Sequence, residues 1–232
     1  MHTINHISLI NKTINEILPA KRIGRKERFL KRLIDIFISL VCLISLSVFM
    51  LLISVAIKLT SRGAIIYKQK RVGYLGYPFT LYKFRSMQEN LNENNHSKYI
   101  QALHSENNFT DDLNIYRSKV TARCTSIGKF LRKKSFDEIP QFFNILKGDM
   151  SLVGPRPHPS YEVIHYKDWY YDRLTVKPGL TGLSKLKFRD SALDYDEAMK
   201  LDIWYIKNWS LTLDIKILLK TFFSVIKGKD AE

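Results

Sequence analysis

One long uncharged stretch dominates the hydropathy pattern of this chain. Residues 36–57, IFISLVCLISLSVFMLLISVAI, are about 22 positions long, enough to cross a hydrocarbon core of roughly 30 Å as a helix. Basic residues flank both ends, and the positive-inside tendency places both flanks on the cytoplasmic face. The pattern therefore predicts a membrane-embedded helix and favours one that enters, bends and returns. Ser45 and Ser47 lie near the middle, where serine hydroxyls often bend helices; a straight span is the alternative.

Shorter patterns after this stretch predict an α/β region. Residues 64–70 and 79–84 alternate apolar and polar positions around the GYLG sequence at 73–76, as in a β-hairpin. Residues 88–118 are polar and aperiodic, which indicates an insertion. Helices are expected over residues 128–131 and 136–146.

Two aromatic segments near the end of the chain each allow two interpretations. Residues 161–176 contain a cluster of Trp and Tyr that suits either the core or a belt at head-group depth. Residues 198–226 are amphipathic, with aromatic residues among leucines, isoleucines and spaced lysines. This second segment is suited to a helix in the membrane interface or to packing on the core.

These patterns together predict a mostly helical α/β protein with a small β-hairpin. It has one N-terminal helix that is re-entrant or membrane-spanning, and amphipathic interfacial helices. The expected organisation is a basic lead at residues 1–30, a membrane-embedded helix at 31–60 and a larger unit at 61–228 that carries the insertion at 88–118.

Charge narrows the class of partner. Lys and Arg number 37 against 22 Asp and Glu, for a net charge of +15 in 232 residues. The partner should be anionic: nucleic acid, phospholipid head groups or a phosphorylated small molecule. Cys42 and Cys124 have no CxxC or His partner at ligand spacing, so neither a disulfide framework nor a structural zinc site is expected.

Candidate chemistry is concentrated in residues 132–157, RKKSFDEIPQFFNILKGDMSLVGPRP. Ser135 and Glu138 have capping-box spacing, which predicts that Asp137 and Glu138 lie in the first turn of the helix over 136–146. Acids there commonly do no more than complement the helix dipole. However, free N–H groups and adjacent basic residues also make a phosphate site, and an ionised carboxylate there suits a nucleophile or a Mg²⁺ ligand. Arg156, between two prolines, is suited to a bidentate grip on phosphate.

An ordered series of motifs resembles a known family. In chain order these are KRLID at 31–35, KRVG at 70–73, YKFRSM at 82–87, SFDEIPQ at 135–141, NILKGDMSLVGPRP at 144–157 and KPGLTG at 177–182. Together they resemble the bacterial sugar transferases, the monotopic polyprenyl-phosphate phosphoglycosyl transferases. The resemblance covers residues 28–228.

The resemblance implies an enzyme that transfers a sugar 1-phosphate from a UDP-sugar to a polyprenyl phosphate such as undecaprenyl phosphate, with release of UMP. Such enzymes use Mg²⁺ and begin cell-surface polysaccharide or glycoconjugate synthesis at the cytoplasmic face of the bacterial inner membrane. By resemblance, Asp137 is the nucleophile that forms a covalent phosphosugar intermediate and touches Mg²⁺, and Glu138 assists as base or metal partner. The implied substrate-binding residues are Arg132, Arg156, Pro155, Pro157, Lys83 and Arg85.

The chain departs from the family pattern in two places. Ser47-Val48 stands where the family usually has Ser-Pro, and Leu183-Ser-Lys-Leu186 follows Thr181-Gly182 where Leu-Trp-Gln is usual. The second departure bears on sugar or lipid preference. The alternative function is a membrane-anchored basic adaptor that binds anionic lipid without catalysis; nucleic acid is not an expected partner because no nucleic-acid module is recognisable. An inactive partner in a glycan-assembly complex is a third interpretation, opposed by the intact acid pair.

Overall fold

The computed structural model describes residues 24–88, 124–187 and 195–227. Within these ranges the chain is mostly helical with two small two-stranded sheets, which confirms the α/β expectation. Most of the predicted basic lead and nearly all of the predicted insertion lie outside the described residues.

The long apolar stretch forms two helices rather than one. Helix α1 (Arg25–Ser45) and helix α2 (Ser47–Thr60) meet at Leu46. In the part of the chain that the structure describes, no single helix meets the length and hydropathy requirements of a membrane span; the two helices meet them together and are bent by 61°. Ser45 and Ser47 flank the break and donate hydrogen bonds to the carbonyls of Cys42 and Ile44. The bend predicted at these serines is confirmed.

Three polar residues near the start of α1 attach it to the rest of the fold. Lys31 Nζ donates to Val153 O at 3.1 Å and forms an ion pair with Asp214 at 2.5 Å. The Arg32 guanidinium donates to the last carbonyls of a following helix, and the buried Asp35 carboxylate accepts from Ser151 Oγ and Leu152 N. These contacts fix the position of α1 relative to the segment that precedes the Pro-Arg-Pro sequence.

The predicted hairpin is confirmed. Strand β1 (Ile66–Val72) pairs antiparallel with β2 (Pro78–Phe84), and a short 3₁₀ turn, Tyr74–Gly76, joins them. Phe79, Leu81 and Phe84 of β2 are buried, while Lys83 is only partly covered. Lys83 is therefore presented at the edge of the core.

The helix predicted over residues 136–146 is broken in the structure. Helix α3 (Ser126–Lys133) confirms the helix predicted at 128–131; a 3₁₀ turn, Phe136–Glu138, and helix α4 (Gln141–Lys147) follow it. Pro140 has no N–H to donate to the Phe136 carbonyl, and the N–H groups of Glu138 and Ile139 bond three residues back instead. The capping-box prediction is wrong: Ser135 adopts a left-handed conformation with φ of 57° and makes no side-chain cap.

A parallel strand pair, which the sequence pattern did not predict, supports the other side of the site. Strand β3 (Ser151–Val153) pairs with β4 (Gly179–Thr181). Between them lie the short helix α5 (Ser160–Val163) and a 3₁₀ segment, Asp168–Thr175, in which Tyr170 is buried. The core interpretation of this aromatic segment is confirmed for Tyr166 and Tyr170.

The last three helices are α6 (Leu183–Lys187), α7 (Tyr195–Lys207) and α8 (Leu211–Lys227). Tyr205, Trp209 and Ile217 join the main core around Met150 and Leu152. Other apolar residues of these helices are exposed: Trp204, Ile215, Leu219, Phe222, Phe223 and Ile226. The segment therefore packs on the core with one face and leaves a second apolar face uncovered in the structure.

Candidate active site

Asp137 and Glu138 occupy the 3₁₀ turn between α3 and α4, so they precede α4 instead of lying in its first turn. Asp137 is buried and Glu138 is mostly covered, with 13% of its side chain exposed. Asn144 of α4 holds this region against β2, because its amide oxygen accepts from Tyr82 N at 3.0 Å and its nitrogen donates to Thr80 O at 2.6 Å. The turn and the strand that carries Lys83 are thereby held side by side.

Lysine ammonium groups contact the acid pair from two directions. Lys83 Nζ lies 3.1 Å from Glu138 Oε1 and 3.9 Å from Asp137 Oδ2. Lys185 Nζ, on α6, forms an ion pair with Glu138 Oε2 and donates to Leu180 O at 2.8 Å. Glu138 is thus held by a lysine at each oxygen, whereas the ion pair of Asp137 with Lys83 is longer, at 3.9 Å.

The two carboxylates have opposite electrostatic environments. Burial raises the pKa of Asp137, and the charge of Glu138 adds to this effect, while Lys83 and Arg132 oppose it. Burial would also raise the pKa of Glu138, but the charges of Lys185, Lys83 and Arg156 hold that pKa well below its usual range. Glu138 is therefore a firmly ionised carboxylate, and Asp137 is the less stabilised anion of the two.

The Pro-Arg-Pro sequence forms a rigid loop directly after β3. Pro155 and Pro157 are buried, and Arg156 between them is exposed. Gly154 N donates to Thr181 O at 2.9 Å and Gly179 N donates to Pro155 O at 2.8 Å. A Cβ on Gly179 would lie 2.1 Å from Gly154 N, so these backbones approach as closely as they do only because the position is glycine.

A buried network of hydrogen bonds supports this loop on its inner side. Arg173 Nη2 donates to Arg156 O at 2.8 Å, and Arg173 Nε donates to Asp202 Oδ2 at 2.9 Å. Arg173 and Asp202 are almost fully buried, at 2% and 3% side-chain exposure. Ser184 Oγ donates to the other Asp202 oxygen at 2.6 Å. The position of Arg156 is thereby coupled to α6.

The structure brings together most of the site residues expected from the sequence. Asp137, Glu138 and Lys83 are in contact, and the charges of Arg132 and Arg156 act on the pair. Arg132 is exposed in the last turn of α3, with Nη1 3.7 Å from Cys124 Sγ. Arg85 is directed elsewhere: its guanidinium is buried and donates to the carbonyl and hydroxyl of Ser61 at the end of α2.

Sequence reasoning missed Lys185, Ser184, Arg173 and Asp202. The departure from the family pattern after Gly182 drew attention to Ser184 and Lys185 but gave them no role. Arg173 and Asp202 lie 29 positions apart, and an isolated basic or acidic residue in a polar segment carries no local signal of burial.

The acid pair can supply only part of the ligands of a magnesium ion. Mg²⁺ is usually held by one or two carboxylates together with substrate phosphates rather than by an all-protein cage. Among the described residues, no group of three or more His, Cys, Asp or Glu side chains is arranged to hold a metal. The Asp137 carboxylate accepts no side-chain hydrogen bond from the described residues, its nearest cation being Lys83 at 3.9 Å, so its oxygens are available. The donor set therefore fits a metal that is shared with phosphates.

Comparisons with known proteins give a family and several relatives over most of the chain. The sequence profile of the family described as bacterial sugar transferase matches residues 26–228. The chain is similar to an undecaprenyl-phosphate galactose phosphotransferase of Salmonella typhimurium, with 44% identity over 89% of this chain and 42% of the relative. It is also similar to a UDP-glucose:undecaprenyl-phosphate glucose-1-phosphate transferase of Klebsiella pneumoniae, with 39% identity over 87% of this chain and 41% of the relative.

A relative of more similar length is the uncharacterized sugar transferase EpsL of Bacillus subtilis, 37% identical over 85% of this chain and 87% of the relative. The chain spans about two fifths of the length of the two longer relatives, at 42% and 41%. The matched region includes every residue of the site described above.

Proposed function

This chain belongs to the bacterial sugar transferase family, and from that premise we propose that it transfers a sugar 1-phosphate from a UDP-sugar to a polyprenyl phosphate such as undecaprenyl phosphate. The names of its relatives support the reaction class, since they are transferases that act on undecaprenyl phosphate. The observation that carries the proposal is the buried Asp137–Glu138 pair surrounded by Lys83, Lys185 and Arg156. Both substrates are anionic, so nearby positive charges are needed to offset their repulsion of an attacking carboxylate.

In the first half-reaction, an Asp137 carboxylate oxygen attacks the phosphorus that bears the sugar. The P–O bond to the UMP part of the donor breaks, its electron pair leaves with UMP, and a sugar phosphate remains bound to Asp137 as an acyl phosphate. The contacts suit Asp137 for attack better than Glu138, because Glu138 is held by lysines at both oxygens. A less stabilised carboxylate is also the stronger nucleophile.

In the second half-reaction, an oxygen of the polyprenyl phosphate attacks the same phosphorus. The bond to Asp137 breaks, the carboxylate is regenerated, and a polyprenyl diphosphate sugar leaves. Neither half-reaction needs a proton from the protein when the acceptor phosphate is fully ionised. The low pKa of Glu138 makes it a weak base, so its proposed part is to position Lys83 and Lys185 and to assist with a metal.

We propose that Asp137, with Glu138 beside it, would hold Mg²⁺ when the donor is bound. When bound, the ion neutralises charge on the diphosphate and polarises its oxygens. Lys83 and Arg156 then hold the donor against the acid pair, and Pro155 and Pro157 keep Arg156 on a fixed backbone.

The same proposal places the site at a lipid surface. The bent pair α1–α2 exposes many apolar side chains, among them Phe37, Ile44, Val48 and Leu59. We propose that this pair enters the cytoplasmic leaflet and returns, with α8 in the membrane interface. A polyprenyl phosphate, whose chain stays in the bilayer, then reaches a site attached to α1 through Lys31, Arg32 and Asp35.

The test of the reaction uses the full chain purified in detergent with Mg²⁺, undecaprenyl phosphate and a panel of UDP-sugars. Release of UMP that depends on one or a few of the sugars is the expected result. Lys129→Met, which removes an exposed cation from α3, is a control that keeps activity. A protein that binds anionic vesicles but releases no UMP from any donor is the adaptor of the alternative hypothesis.

The covalent step has its own test. Incubation with the preferred UDP-sugar and no acceptor should add the mass of one sugar phosphate to the wild-type chain, and proteolysis should place the added mass on Asp137. Addition of undecaprenyl phosphate should remove it. Turnover without this adduct and with full activity in Asp137→Ala is evidence for direct transfer instead.

A further inference from the structure

Lys185 is a largely buried cation at the acid pair that the family motifs do not assign. Its ammonium contacts Glu138 Oε2 and the Leu180 carbonyl. An ammonium has three N–H groups, and these two contacts leave one of them. The side chain retains 19% exposure, so the site around it is open to a ligand.

The positive charge at the site exceeds what the acid pair needs. Glu138 already has Lys83 at 3.1 Å, which alone neutralises it. Lys185, Arg156 and Arg132 add three further cations whose charges reach the pair. The charges of four cations therefore act on two carboxylates, and this excess of positive charge favours a further anion such as a nucleotide-sugar diphosphate.

Lys185 lies among other cations and has room for a second anion besides Glu138. Its ammonium is largely covered and pairs with Glu138, while the positive charges of Arg156 and Lys83 act on it as well. Lysine is seldom buried unless it is paired. A second anion near Lys185 and Arg156 relieves the repulsion between these two cations.

The geometry also fixes Lys185 relative to Arg156. Ser184, the preceding residue, donates to Asp202 at 2.6 Å; Asp202 accepts from Arg173, and Arg173 donates to Arg156 O at 2.8 Å. This chain of bonds is buried and joins the backbone of α6 to the Pro-Arg-Pro loop. The backbone positions that carry the two cations are thus held close together, which suits both side chains to reach one ligand.

We propose that Lys185 is a further substrate-binding residue, whose ammonium binds a diphosphate oxygen of the nucleotide-sugar donor together with Arg156. This rests on the proposed function for the identity of the donor. Glu138 orients the ammonium, and the remaining N–H of Lys185 donates a hydrogen bond to a diphosphate oxygen.

Binding of UDP to the full chain at fixed Mg²⁺ tests the proposal, with uridine as the probe that lacks phosphates. Lys185→Gln keeps a donor for Glu138 but removes the charge, and we expect it to weaken UDP binding by about tenfold or more. Uridine binding should be unchanged, and Lys185→Arg should restore most of the UDP affinity. Lys187→Gln is the matched control, since Lys187 lies on the same helix and pairs with the exposed Glu197.

Amine footprinting of the wild-type chain provides a second test that needs no variant. UDP should protect Lys185 from an amine-reactive label, uridine should not, and Lys187 should react equally in all samples. Equal UDP affinity in folded Lys185→Gln, or no protection of Lys185 by UDP, overturns the inference even if UMP is released normally. Conversely, a protein that turns over no UDP-sugar but loses UDP affinity in Lys185→Gln lacks the proposed activity and keeps the proposed diphosphate site.

Discussion

The ionised carboxylate of Asp137 lowers the stability of the folded protein at neutral pH. Its pKa is raised by burial and by Glu138, so its ionised form is less favourable in the fold than in the unfolded chain. The contribution of such a group is favourable below the unfolded pKa of about 3.9 and is lost as pH rises through the raised value. At neutral pH, Asp137→Asn should therefore raise the midpoint of thermal unfolding, by about 2–4 °C, in metal-free buffer.

The same substitution should reduce turnover by roughly 10³-fold or more, because it removes the proposed nucleophile. Thermal unfolding and UMP release measured on one preparation check both effects. Asp137→Ala is measured as a second variant, because slow deamidation of the asparagine would regenerate aspartate and restore activity. A variant that loses stability in step with activity indicates that Asp137 is a structural group.

Lys83 opposes the effect of burial on the pKa of Asp137, the proposed nucleophile. Burial raises the pKa of Asp137, and Lys83 is the largest opposing influence. Lys83→Met should therefore raise that pKa further and move the acid limb of the rate profile to higher pH. The quantity to measure is kcat/KM for the UDP-sugar between about pH 5 and 8, since it reports the free enzyme and the first half-reaction.

Lys129→Met provides the comparison for this pH profile, because it removes one exposed cation from α3. Its acid limb should coincide with that of the wild type. An acid limb that stays in place in Lys83→Met shows that the titrating group is not Asp137.

At the scale of elements, local patterns predicted what local interactions determine. The β-hairpin and the bend between Ser45 and Ser47 follow from alternation and from serine chemistry within a few residues. The helix predicted over residues 136–146 is too long, because Pro140 lacks the N–H that would continue it and Ser135 makes no side-chain cap. The β3–β4 pair has three residues per strand, too short for a periodic signal, and its partners meet only through the tertiary fold. For the same reason the sequence predicts no role for Lys185 or Arg173, whereas contiguous motifs mark Asp137, Glu138 and Arg156.

Asp35 couples helix α1 to strand β3, which leads into the loop that carries Arg156. This carboxylate is 3% exposed and accepts hydrogen bonds from Leu152 N at 2.9 Å and Ser151 Oγ at 3.1 Å. Asp35→Ala leaves these buried donors unsatisfied, at a cost of about 1–3 kcal/mol. We expect a lower unfolding midpoint and a reduced kcat/KM, because β3 leads directly into Gly154 and Arg156.

Ser39 offers a matched control one turn further along α1. Its hydroxyl is fully buried and has no hydrogen-bond partner among the residues that the structure describes. Ser39→Ala should therefore be neutral or slightly stabilising and should leave activity unchanged. Similar losses in Asp35→Ala and Ser39→Ala indicate a general sensitivity of α1 to substitution instead of a specific connection to β3.

At the scale of the whole molecule, the exposed apolar surface and the basic charge both favour a lipid surface with anionic head groups. The α1–α2 pair exposes Ile44 at 72% and Leu59 at 82%, and α8 exposes Phe222 at 60% and Ile226 at 60%. Exposed apolar areas of this kind mark interaction surfaces, and a net charge of +15 favours an anionic one. Lys31 joins α1 to α8 through Asp214. A bilayer that receives both helices therefore lies close to the loop that carries Arg156.

The proposed re-entry of α1 and α2 predicts that both basic flanks face the cytoplasm. In a background with Cys42→Ser and Cys124→Ser, Lys26→Cys and Arg62→Cys place single thiols before and after the bent pair, and both replaced residues are exposed. A membrane-impermeant maleimide should label both from the cytoplasmic side of inverted vesicles and neither from the periplasmic side of intact cells. Leu46→Cys, at the break, should resist the reagent from both sides because the bend then lies within the hydrocarbon. Labelling of the two flanks from opposite sides establishes a crossing, and the 61° break would then be a kink in a span.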